Sequence, residues 1–128
     1  MLKRSLLLCS FIAVGCSAQP KTAYIVHFEN ACAYPVEVSV HEYSNAKAPF
    51  VPGQRLGAGE SVEVLSHVSF DESIEKSLPS GYRLDIAANG ESIMLDREGF
   101  LGQLAHSPIE RKGRSISIWT IRDTALCP

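Results

Sequence analysis

Short runs in which every second residue is apolar recur along this chain, and they commit it to β-structure. Val36, Val38 and Val40 alternate with Glu37, Ser39 and His41, the pattern of a strand with one buried and one wet face. Tyr24, Val26 and Phe28 alternate with Ile25, His27 and Glu29, so the second face of that run is only partly polar. Tyr82, Leu84 and Ile86 oppose Arg83 and Asp85, and Asn89-Gly90 then leads to Ile93 and Leu95. Asn-Gly between two such runs predicts a tight hairpin, because both turn positions need positive φ. Val62 and Val64 open a further run whose apolar phase slips at Leu65 and returns at Val68 and Phe70. The slip predicts a bulge near Leu65 and Ser66. Ile116 and Ile118 alternate with Ser115 and Ser117, and Trp119 and Ile121 then make the end of that run apolar on both faces.

Between the runs lie turn-rich stretches. Residues 44–59 hold prolines and glycines throughout and read as a long loop with a short strand around Arg55 and Leu56. Two segments read as helical. Asp71–Leu78 opens on acidic residues and stops at Pro79, and Asp96–Ala105 has Asp96 as its N-cap, with Phe100, Leu101 and Leu104 on one side. Six or seven short strands with polar turns predict an all-β fold, an antiparallel β-sandwich of immunoglobulin or transthyretin type with one or two short helical segments.

The N-terminus has a different character. Lys3 and Arg4 precede an apolar run from Ser5 to Val14, too short to span a bilayer, which takes about 20 residues. A charged start, a short apolar middle and a small-residue boundary describe a secretory signal peptide. Ala13-Val14-Gly15-Cys16 resembles the lipobox that precedes the modified cysteine of bacterial lipoproteins. The resemblance implies a signal peptide at 1–15, acylation of Cys16, and a lipidated tether over 16–22 leading to a sandwich domain at 23–128. Ser17 differs from the aspartate that retains enteric lipoproteins at the inner membrane, which implies the outer membrane, facing the periplasm. Ordinary cleavage after Ala18, freeing a soluble chain from Gln19, is the alternative. With Cys9 lost and Cys16 lipidated, Cys32 and Cys127 remain, and two cysteines in an oxidising compartment predict one disulfide.

Two further likenesses concern the domain. Phe28-Glu29-Asn30-Ala31-Cys32, Tyr34-Pro35-Val36 and Leu56-Gly57-Ala58-Gly59-Glu60-Ser61 resemble the opening of thaumatin-like sandwiches. Those also place a cysteine after a first strand and a glycine-containing turn before a later one. The likeness implies shared sandwich architecture, not kinship. In anchor, size and strand pattern the chain is also similar to the small outer-membrane lipoprotein of type VI secretion systems, a transthyretin-like sandwich, with no diagnostic motif to carry residues across.

Without Lys3 and Arg4, ten of the 12 basic residues remain against 14 acidic ones. The balance gives no electrostatic case for binding nucleic acid or for holding to anionic lipid by charge, and the sequence reads as having no basic cluster. Candidate chemistry is sparse. His27 and Glu29 share one strand face and Glu37 and His41 another. Pairing of those two strands would let all four converge on one polar face, where two imidazoles and a carboxylate could hold zinc with an open position. Asp71 and Glu72 are adjacent and diverge, and no spacing holds Asp85 and Asp96 at an acid–base separation. Phe50-Val51-Pro52 sits in the long polar loop, either folded over an open end of the core or exposed as a partner-binding tip. No cofactor is implied. The sequence therefore points to a non-catalytic, membrane-anchored protein that binds an envelope partner or supports an assembly. An inhibitor or small-ligand module is the alternative, and a hydrolase using zinc on His27 and His41 is a third reading.

Overall fold

A computed structural model of the chain describes residues 21–71 and 73–128. The segment read as a signal peptide, Cys16 with its expected lipidation, and most of the expected tether lie outside the described residues, as does Glu72. The first strand, β1 (Thr22–Glu29), buries Tyr24, Val26 and Phe28 and turns Ile25 and His27 the other way. It is followed by β2 (Val36–His41), the short β3 (Gln54–Leu56), β4 (Ser61–Ser69) and a single helical turn, α1 (Ile74–Ser77). Next come β5 (Arg83–Ala88), β6 (Glu91–Asp96), α2 (Arg97–Ala105), β7 (Ile109–Lys112), β8 (Ile116–Ile121) and a 3₁₀ turn at Thr124–Leu126.

Among the described residues these strands form two four-stranded sheets, ordered β4-β1-β8-β7 and β3-β2-β5-β6. Their inner faces share one core, with Val26, Phe28 and Ile121 from the first sheet meeting Val38, Leu84 and Ile86 from the second. The protein is an all-β sandwich, as its alternating runs predict. Pairing is antiparallel except between β1 and β8, which run parallel with Ala23 beside Ile116 and Phe28 beside Ile121. Parallel neighbours need a long crossover, and here the whole second sheet and both helices lie along it. Cys32, just past β1, is bonded to Cys127, just past β8, so the disulfide closes the pair where both strands end. A loop of 95 residues closed in this way contributes about 4–5 kcal/mol in the chain-entropy treatment.

Local chemistry explains most boundaries. Asn89 and Gly90 take φ of 54° and 76° in the two-residue turn between β5 and β6, the primed turn that Asn-Gly favours. The Asp96 side chain accepts a hydrogen bond from the Gly99 amide at 2.8 Å and caps α2. Phe100 and Leu104 are buried from α2, with the Phe100 ring 4.4 Å from that of Tyr82. The phase slip in β4 falls at Val64: Val26 faces Leu65, but His27 faces Glu63, so Val64 is the extra residue and both Val64 and Leu65 are buried. One strand was not anticipated. All four residues of β7 are exposed, so no apolar alternation announces it. The first helical segment shrinks to one turn, because Pro79 follows it closely and none of its residues is buried.

Asn30 links the two sheets at the end of β1. It is 1% exposed, and its amide nitrogen donates to the carbonyls of Tyr34 (2.9 Å) and Leu56 (3.1 Å). Its side-chain oxygen accepts from the Cys32 amide at 2.9 Å. Its own backbone exchanges hydrogen bonds with Glu60 and Gly59. A buried polar group left without its partner costs about 1–3 kcal/mol, and removing this side chain strands several. Asn30→Ala is therefore expected to lower the unfolding free energy by roughly 3 kcal/mol in urea titration. A loss below about 1 kcal/mol would show that the three segments hold together without it.

Candidate functional site: a groove beside the last hairpin

The zinc arrangement read from the sequence does not form. It needed β1 and β2 to pair, and they lie in different sheets, so His27 and Glu29 are separated from Glu37 and His41. His27 faces Glu63 and Thr120 across its own sheet, and Glu29 holds Arg122 in an ion pair. On the other sheet Arg83 lies 2.7 Å from His41 Nε2, where its guanidinium occupies the nitrogen lone pair that a metal would use. Among the described residues no group of three or more His, Cys, Asp or Glu side chains comes together. Asp85 is engaged by Arg83 at 3.1 Å and Asp96 by the start of α2, so neither is free for acid–base work.

The long loop also resolves differently from its partner-binding reading. Phe50 is buried, its ring meeting that of Tyr43 edge-on at 5.6 Å, and it covers the core. Val51 alone of that pair is displayed, at 66% exposure. Beside them Tyr43 Oη donates to Glu63 at 2.7 Å, and Lys47 Nζ reaches the same carboxylate at 2.9 Å. Partial burial pushes the Glu63 carboxyl up. The hydrogen bonds from Lys47 and Tyr43, with the charges of Lys47 and His27, outweigh this and leave its pKa below the ordinary value. Burial and the neighbouring carboxylate raise the Tyr43 phenol.

A third region was not singled out from the sequence. Register places Ile109 beside Trp119 and Arg111 beside Ser117, and Ser117 lies beside Tyr24, which points into the sandwich. The inward row of the first sheet thus continues through β8 onto β7. There α1 supplies the opposite wall, and a groove of about 720 Å³ remains open. Tyr24 and Trp119 form its floor, with ring centroids 6.0 Å apart; Tyr24 Oη also donates to the Asp71 carbonyl at 2.6 Å. Arg111 and Arg114 line one side, and Ser73, Ile74 and Glu75 the other. Thr22, at the start of β1, is also on the lining. Among the described residues neither arginine forms an ion pair. Guanidiniums present a donor fork to carboxylate or phosphate, and an indole face offers a stacking platform. The net charge conceals this local excess: Arg111-Lys112-Gly113-Arg114 is a basic turn that the sequence reading passed over.

No protein-family model, curated protein or solved structure matches the chain.

Two measurements check this account. Phe50→Ala should cost roughly 3 kcal/mol in urea unfolding, as for buried aromatics generally, while Val51→Asp should fall within about 0.5 kcal/mol of wild type, as for exposed sites; equal effects would contradict the placement. Because the Glu63 pKa is depressed in the folded state, its contribution is present above the ordinary carboxylate range and lost as pH falls through the lower folded value. Glu63→Gln should therefore cost about 0.5 kcal/mol near neutrality and flatten the acid limb of stability against pH. An unchanged acid limb would remove Glu63 from the account.

Proposed function

We propose that the protein is an outer-membrane lipoprotein, anchored through Cys16 and facing the periplasm, that binds another envelope protein without catalysing a reaction. The observation that carries the binding reading is the groove between α1 and the β7–β8 hairpin. It offers an aromatic floor and two arginines without ion pairs among the described residues. The membrane reading is supported by the lipobox-like Ala13-Val14-Gly15-Cys16. The Cys32–Cys127 disulfide accords with an oxidising compartment. Capture of a small ligand or a foreign enzyme is a second reading, favoured by the groove's volume of about 720 Å³, which falls among small-molecule sites of about 300–1,000 Å³.

The test is a crosslinking pull-down from envelope membranes, comparing wild type, Cys16→Ala and Arg111→Glu/Arg114→Glu. Intact-mass analysis of each protein reads acylation directly. A discrete envelope protein captured by the acylated form, and reduced at least about tenfold (some 1.4 kcal/mol) by the arginine reversal, is the expected result. Capture unaffected by the reversal would overturn the groove as the binding surface. An unmodified Cys16 in wild type would overturn the anchor.

A further inference from the structure

We propose that the outer face of the first sheet, at the end where β1 begins, rests on the surface of an anionic phospholipid bilayer. This rests on the lipid-anchor reading above and adds an orientation to it. Cross-strand register places Val68, Ala23, Ile116 and Lys112 in one outward row over β4, β1, β8 and β7. The next outward row holds Ser66, Ile25, Ile118 and Glu110. Ala23, Ile25, Ile116 and Ile118 are half-buried, and the row is covered at its β4 edge, where Ser66 is bridged to Ser44. At the near edge Phe70 is 60% exposed and Val68 39%, and the Lys21 ammonium sits 5.8 Å from the Phe70 ring centre. The β7–β8 turn brings Lys112 to this same edge, since the Ala23 amide donates to the Ser115 carbonyl and Lys112 lies beside Ile116. Among the described residues Lys21 and Lys112 form no ion pair.

The face is graded along the strands. Apolar and basic groups occupy the near end, whereas His27, Thr120, Glu63 and the Glu29–Arg122 pair occupy the far end. Glu110 and Asp71 mark the limits of the basic corner. An isoleucine and valine surface edged by lysines and a phenylalanine suits the boundary between headgroups and acyl chains. The occupant is further fixed by the chain itself. Lys21 is five residues from Cys16, and about 3.5 Å per extended residue cannot carry this corner far from an acyl anchor at that cysteine. The charges act locally: each basic group near an anionic surface favours contact by roughly fivefold.

The experiment is amine acylation of the purified lipidated protein, read by peptide mass spectrometry at Lys21, Lys47, Lys76 and Lys112. It compares detergent micelles, phosphatidylcholine vesicles, and vesicles with about 30 mole per cent phosphatidylglycerol, an anionic surface of the kind that attracts lysine and arginine. Expected is at least fivefold protection of Lys21 and Lys112 in the anionic vesicles only, reversed by high salt, with Lys47 and Lys76 unchanged. Phe70→Ser and Lys112→Glu together should remove the protection of Lys21 while leaving the urea midpoint in place. Equal labelling of Lys21, Lys112 and Lys76 in all three conditions would overturn the proposal. Intact mass reports the acyl group separately, so a missing anchor and a missing contact give different results. Protection in anionic vesicles without acylation would keep the contact and sink the anchor.

Discussion

The first and last strands of the domain lie side by side and run the same way, and everything else is arranged around that pairing. β8 sits between β1 and β7, so the last strand is interior to its sheet while the chain between them builds the opposing sheet and both helices. Because the two strands are parallel, they end at the same edge, and there the disulfide and Asn30 converge. The cysteine bond acts mainly on the unfolded chain by shortening it. Asn30 acts on the folded chain, joining the end of β1 to the turn before β2 and to the end of β3. One edge of the sandwich is thus tied covalently and by buried hydrogen bonds. The opposite edge, where β1 begins, carries the groove and the basic turn.

This division shows in the side chains. Buried polar groups at the tied edge are satisfied; among the described residues no buried side-chain polar atom lacks a partner. At the other edge β7 extends its sheet past the cover of the second sheet, exposing side chains that would otherwise be core. Arg111 and Lys112, adjacent in sequence, fall on opposite faces of that strand. The same short basic segment therefore serves the groove on one side and the outer face on the other.

Much of the fold could be read from the residues because local rules and tertiary structure agreed. Val36, Val38 and Val40 bury one face of β2, Asn89-Gly90 makes its hairpin, and Asp96 caps its helix. The slip in β4 was visible from Val64 and Leu65, both apolar in succession. What failed depended on partners far away in sequence. The convergence of His27 with His41 assumed that consecutive strands pair, and the crossover sends them to separate sheets. Phe50 in its polar loop could be read either way, and its burial, with Tyr43 edge-on to it, bears out the covering reading. β7 lacks any apolar face of its own and exists only because β8 offers it an edge. Net charge, a mean over the chain, says nothing about which ends of which strands meet.

The interior position of β8 also sets the order of events in biogenesis. A chain delivered N-terminus first presents β1 and β4 long before β8, and the slot beside β1 stays vacant until Ile116–Ile121 arrives. Until then β1 offers unpaired amides and carbonyls along one side, a template for illegitimate strand addition. Closure is thus a long-range event of the slow kind, and it needs both β8 and, beyond it, Cys127. The sheet thereby checks its own assembly: without β8, one side of β1 stays open.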